Sequence, residues 1–141
     1  MSEKNLSKNI FIKTNLSVGD GEASEMFCNS FQGEWRTSDG RHCLSHDEPE
    51  NQGRTLILID TDSVEIRRTG LVCSRLRFSD ERELPAKYST PYGKIPMTVS
   101  TKTMSRDMTP ESGNLHIRYT IHSDSGAETL NTLHIGWNTK I

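Results

Sequence analysis

Leu115-His116-Ile117-Arg118-Tyr119-Thr120-Ile121-His122-Ser123, followed by Asp124-Ser125-Gly126 and then by Ala127-Glu128-Thr129-Leu130-Asn131-Thr132-Leu133-His134-Ile135-Gly136-Trp137, is the stretch that decides the fold. Leu115, Ile117, Tyr119 and Ile121 alternate with polar residues, the period of a strand with one buried face. Leu133, Ile135 and Trp137 return with the same period. Asp124-Ser125-Gly126 between them reads as a three-residue hairpin turn with Gly126 in the left-handed position. That turn sets a register in which His116 lies opposite His134, both on the face away from Ile117, Tyr119 and Ile135.

Working outward, the same period recurs along the chain, broken at short intervals by Gly, Asp, Asn and Pro. Ile10, Ile12, Thr14 and Leu16 share a strand face that ends at Gly19-Asp20-Gly21, and Glu25 to Gln32 forms a second strand with Phe27 and Phe31 on one side. Ser38-Asp39-Gly40 is a turn before a more polar strand, Arg41 to Glu48. Thr55-Leu56-Ile57-Leu58-Ile59 is a continuous apolar run that suits a strand buried on both sides. Val64, Ile66 and Arg68 alternate up to Gly70, and Val72, Leu76 and Phe78 beyond it. Ile95, Met97, Val99 and Thr101 follow the Pro91-Tyr92-Gly93 turn, with Pro96 marking an edge or a strand start. Pro96 and the loop from Ser79 to Pro85 are where sheet continuity is expected to break. No segment carries a helical stripe. The expectation is all-β, a single antiparallel up-and-down β-barrel of roughly eight to ten strands spanning residues 10–141, with residues 1–9 disordered.

The chain has 141 residues, 32% of them hydrophobic, a formal charge of −2 and thirty Ser and Thr residues. Such balance lacks the basic excess expected of a nucleic-acid or membrane-surface binder, and no apolar run approaches the ~20 residues of a membrane-spanning helix. Lys13 interrupts the only apolar run near the N-terminus, so no signal peptide is expected and the reading is cytoplasmic. Cys28, Cys43 and Cys73 have no C-x-x-C spacing and read as free, partly buried thiols.

From Thr55 to Ile135, Arg68-Thr69-Gly70, Phe78, Lys87-Tyr88, Tyr92-Gly93, Ser100-Thr101-Lys102, Gly113 and Ile117-Arg118-Tyr119 stand in an order that resembles the bacterial YwiB-like family of unknown function. The earlier strands fit through Asp20-Gly21, Gly33 and Asp47-Glu48, while Arg41-His42-Cys43-Leu44 replaces bulkier apolar residues. The resemblance implies a calycin-like barrel, similar in architecture to lipocalins. It implies no reaction and carries over no catalytic residue.

Candidate chemistry is sparse. His42-Cys43-x-x-His46 has the metal-ligand spacing of a helix, but on a strand the imidazoles lie ~13 Å apart, so a polar strand end running into a loop is expected and no metal site. His116 and His134 read as solvated. No G-x-S-x-G or phosphate-binding glycine loop occurs, and no cofactor is expected. Tyr88, Tyr92 and Tyr119 with Trp35 and Trp137 are candidates for a cavity mouth, although the core needs most aromatics and the two tryptophans suit plugs for an open end. Arg68 shares an inward face with Val64 and Ile66. It either binds the anionic head of a ligand or pairs with Glu65, Asp47 or Glu48, because an unpaired buried charge is costly. The expected function is binding of a small anionic or amphipathic molecule, oriented by Arg68, Thr101, Tyr119 and Tyr88. The alternative is a filled barrel acting as a protein-interaction or homodimerisation module, and enzymatic activity is expected less than either.

Overall fold

Tight turns between short alternating strands make neighbours in sequence neighbours in space. A computed structural model describes residues 6–19, 24–109, 111–124 and 126–139. It contains β1 (Leu6–Val18), β2 (Glu25–Ser38), β3 (Arg41–Glu48), β4 (Gly53–Ile59), β5 (Ser63–Arg68), β6 (Cys73–Ser79), β7 (Glu83–Thr90), β8 (Gly93–Met108), β9 (Ser112–Ser123) and β10 (Glu128–Asn138). A 3-10 turn at Pro49–Asn51 links β3 to β4. Each strand pairs antiparallel with its sequence neighbours, and β1 also pairs with β10, which closes the barrel. Closure removes exposed sheet edges. Among the described residues no helix is long and apolar enough to cross a membrane.

The last hairpin keeps the expected register, with Leu133 opposite Ile117, Ile135 opposite Leu115 and His134 opposite His116. Ser123 N–H donates to the Ala127 carbonyl at 3.0 Å, and Gly126 has φ 91°. Ser125 lies outside the described residues, as do Asp20 and Gly21 of the first expected turn.

Four expectations need correction. β1 begins at Leu6, so residues 6–9 belong to the sheet, paired with Glu34 to Thr37. β2 runs past Gln32 to Ser38, where it meets β3. β4 is not buried on both sides: Thr55, Ile57 and Ile59 are buried, and Leu56 and Leu58 face outward half-buried. β7 was not anticipated, since Pro85 masks the alternation of Leu84, Ala86 and Tyr88. Pro96 does not start β8, but it holds the edge position expected of it: it pairs with Lys87 of β7 on one side and lies just outside the β8–β9 ladder, which begins at Met97, on the other.

The break expected near Ser79 to Pro85 is present in a milder form. β6 and β7 pair only through Cys73–Ser89, Ser74–Tyr88 and Arg75–Lys87. Pro85, which has no N–H to offer a neighbour, lies just beyond this short ladder.

One end of the barrel is solid. Trp35 and Trp137 are buried there among Ile10, Ile12, Leu44, Ile59 and Leu115, as plugs. Trp35 Nε1 donates to His42 Nδ1 at 3.1 Å, giving the buried indole its polar partner. A bulge between Thr101 and Thr103 changes the phase of β8, so Thr101 and, further on, Met104 and Met108 all pair with inward positions of β9.

Gly33 lies where β2 crosses closest to β3. A Cβ there would stand 2.3 Å from the Ser45 carbonyl oxygen and 2.9 Å from Ile12 Cδ1. Gly33→Ala is therefore expected to destabilise the barrel by about 3 kcal/mol, the upper range for overpacking a site that cannot relax. Chemical denaturation measures this, and an unchanged midpoint would contradict the close approach.

Candidate functional site

The other end of the barrel, where β3 joins β4 and β5 joins β6, is not filled. Ten strands enclose a wider lumen than the eight that side chains can just fill. A cavity of about 320 Å³ remains, reaching the surface beside Phe27, which is 48% exposed. Its wall is largely apolar, from Leu16, Phe31, Ile57, Ile66, Leu76 and Leu133.

Arg68, Tyr88 and Tyr119 of the expected ligand set line this cavity. Thr101 does not. It faces inward opposite Tyr119 and is only 2% exposed, and its Oγ1 has no hydrogen-bond partner among the described residues.

Arg68 is ion-paired, and of the three acids foreseen Glu48 is its partner. Its Nε and Nη2 donate to Glu48 Oε1 at 3.1 Å and Oε2 at 3.0 Å, a side-on bidentate pair. Glu48 Oε1 also accepts from Thr55 Oγ1 at 3.3 Å. Asp47 instead takes Arg54, and Glu65 takes Arg67 and Arg75 on the outer face. Asn51 Nδ2 donates to the carbonyls of Thr69 at 3.1 Å and Val72 at 2.8 Å, and its Oδ1 accepts from Val72 N–H at 2.8 Å. This ties the 3-10 turn to the β5–β6 loop and fixes Glu48 relative to Arg68.

β3 ends at Glu48 and runs into the Pro49–Asn51 turn, the polar strand end expected, but His46 near that end points inward. It is buried, lines the cavity and stacks on Phe31 with ring centroids 3.7 Å apart. Its Nδ1 lies 2.9 Å from the Asp47 carbonyl, an acceptor, so Nδ1 carries the hydrogen. Burial holds the imidazole below its ordinary value of 6.5. Tyr119, edge-on to the fully buried Phe78 at 4.7 Å, has its phenol pushed up to about 12 by burial. Neither the position of His46 nor that of Asn51 was legible as a site residue, because both sit beside polar neighbours in sequence. Strand parity with Leu44 was the usable signal for His46.

On the outer face, His116 and His134 stack with centroids 4.4 Å apart, and His134 Nε2 lies 2.9 Å from Asn114 Oδ1. Cys43 is half-buried, but Cys28 and Cys73 are exposed, which corrects the partly buried thiols expected for both.

A family model described as a domain of unknown function, DUF1934, matches residues 10–135. The uncharacterized beta-barrel protein YwiB of Bacillus subtilis (strain 168) is 29% identical over 94 residues, which make up 65% of this chain and 66%, just under two thirds, of that protein. The crystal structure of ywiB protein from Bacillus subtilis is similar with a TM-score of 0.85 at 21% identity, covering 96% of this chain and 94% of that one. This likeness shows the barrel fold.

Two outcomes follow from the geometry of Thr101 and His46. Thr101→Val removes a hydroxyl that is buried without a partner, so it is expected to stabilise by about 1 kcal/mol and raise the melting temperature by a few degrees. A fall in melting temperature would mean that the hydroxyl is bonded. For His46, a depressed folded value means that the unfolded chain binds the proton first, so stability is complete above about 6.5 and declines as pH falls below it. Denaturation between pH 7.5 and 5 should show this decline, and His46→Phe should make it shallower. His42 and His134, also depressed mainly by burial, supply the slope that persists.

Proposed function

The chain belongs to the DUF1934 family of domains of unknown function, and on that premise we propose that its barrel is a binding protein for one small amphipathic molecule held in the open end. The observation that carries this reading is the unfilled lumen of about 320 Å³ behind a structured mouth. That volume is at the lower end of the ~300–1,000 Å³ usual for small-molecule sites. The combination of an apolar wall with few polar groups, here His46, Tyr119 and the Arg68–Glu48 pair, is also typical of such sites. Tyr88 and Arg68 stand at the wall as orienting residues, in the manner of a calycin-like barrel. Three free thiols suit a reducing compartment such as the cytoplasm.

A second reading has its own observation. Met26, Phe27, Leu71, Tyr92 and Ile95, the exposed large hydrophobics among the described residues, all belong to strand ends and turns at the open end. A protein partner or a second copy of the chain seated over the mouth would cover them.

Native mass spectrometry of freshly purified protein separates the two readings, with a bound small mass expected for the first and a dimer for the second. In a parallel assay, an uncharged environment-sensitive dye is expected to bind once per chain. Ile121→Trp, which fills part of the cavity, should weaken dye binding about tenfold while leaving the melting temperature within a few degrees. Absence of both a bound mass and a saturable dye site would overturn the binding reading.

A further inference from the structure

The cavity wall holds one cation and one anion, Arg68 and Glu48, and they neutralise each other through two hydrogen bonds of 3.1 and 3.0 Å. Among the described residues the rest of the wall is uncharged. Burial favours the neutral forms of both His46 and Tyr119. An ionised ligand would leave water for an apolar pocket with no unmatched counter-charge, a transfer that apolar contacts do not offset.

The polar groups that remain have a defined sense. His46 commits its Nδ1–H to the Asp47 carbonyl, so its Nε2 bears a lone pair and is an acceptor. Nε2 has no hydrogen bond among the described residues, and neither has the Tyr119 hydroxyl. The imidazole is held flat by Phe31, with an interplanar angle of 14°, so the direction of its lone pair is fixed and not averaged over rotamers. His46 lines the cavity, and its Nε2 is not sealed off as Thr101 Oγ1 is, so a ligand that donates to it gains a hydrogen bond at an acceptor already fixed in place.

We propose that the cavity selects an uncharged ligand carrying a hydroxyl or N–H donor on a ring or short apolar body, with His46 Nε2 as the acceptor and the Tyr119 hydroxyl as the second polar contact. This rests on the cavity being a binding site, and it departs from the anionic headgroup suggested by Arg68 alone. The Arg68–Glu48 pair acts as a charge filter: it holds the mouth together while keeping the guanidinium from attracting anions.

The test uses toluene, phenol and benzoate as probes of similar shape, titrated into the full chain at pH 7 and followed by amide chemical shifts. Phenol is expected to bind about tenfold tighter than toluene, the factor typical of one well-formed hydrogen bond, and benzoate without saturation. His46→Phe keeps the stacking ring and should reduce phenol to the affinity of toluene. Tyr119→Phe, which removes only the hydroxyl, should reduce the preference in part and serves if His46→Phe does not fold. Glu48→Gln frees the guanidinium and should admit benzoate. Benzoate binding wild type more tightly than phenol, or a phenol-to-toluene ratio unchanged in both His46→Phe and Tyr119→Phe, would overturn the proposal. If the uncharged dye binds but none of the three probes does, the selectivity falls and the binding reading stands. If nothing binds, both fall.

Discussion

Every inward or outward assignment in this molecule depends on closure of the sheet. Because β1 pairs with both β2 and β10, each strand has a neighbour on either side, and no strand can shift by one residue without turning its entire apolar row to solvent. A chain with only 32% hydrophobic residues can hold one conformation under that constraint. The apolar residues need to cover one face only, and Ser and Thr serve both strand propensity and the wet outer surface. The bulge in β8 is an exception that keeps the rule, since it absorbs one residue between Thr101 and Thr103 so that Met104 and Ile117 remain paired toward the interior.

The two ends of the barrel use their polar residues in opposite ways. At the plugged end a tryptophan indole is satisfied by His42 and the space is filled. At the open end the polar residues hold chain connections together: Asn51 binds the β5–β6 loop, and Arg68 on β5 clasps Glu48 on β3 across β4. Removing side-chain volume from the lumen there leaves stability dependent on hydrogen bonds at the rim, where each group that loses its partner costs about 1–3 kcal/mol.

Strand period made most of the barrel legible, because alternation is a local property that closure only confirms. It revealed the register of β9 with β10, the inward position of Arg68 and the plugging tryptophans. It hid β7, where Pro85 reads as a breaker although its neighbours alternate. The site was half legible for a related reason. Parity says that a residue points inward but not how deep it lies, so Thr101 and Tyr119, paired side by side, looked equivalent, and only Tyr119 lines the cavity. Which acid meets Arg68 was also out of reach of sequence, since Glu65, Asp47 and Glu48 are all near it and their separation depends on which face each occupies.

The short ladder between β6 and β7 gives the barrel a direction of weakness. Here three residue pairs bind the two strands, fewer than at any other seam, and beyond them Leu84, Pro85 and Ala86 of β7 are held on the β8 side alone, opposite Val99, Thr98 and Met97. A closed cylinder is weakest where its ladder is shortest, as a cuff is at its slit, so local opening costs less along this seam than along the long β1–β2 and β8–β9 ladders. The seam lies in the side wall, so parting it is an event distinct from global unfolding and remote from the tryptophan-sealed end.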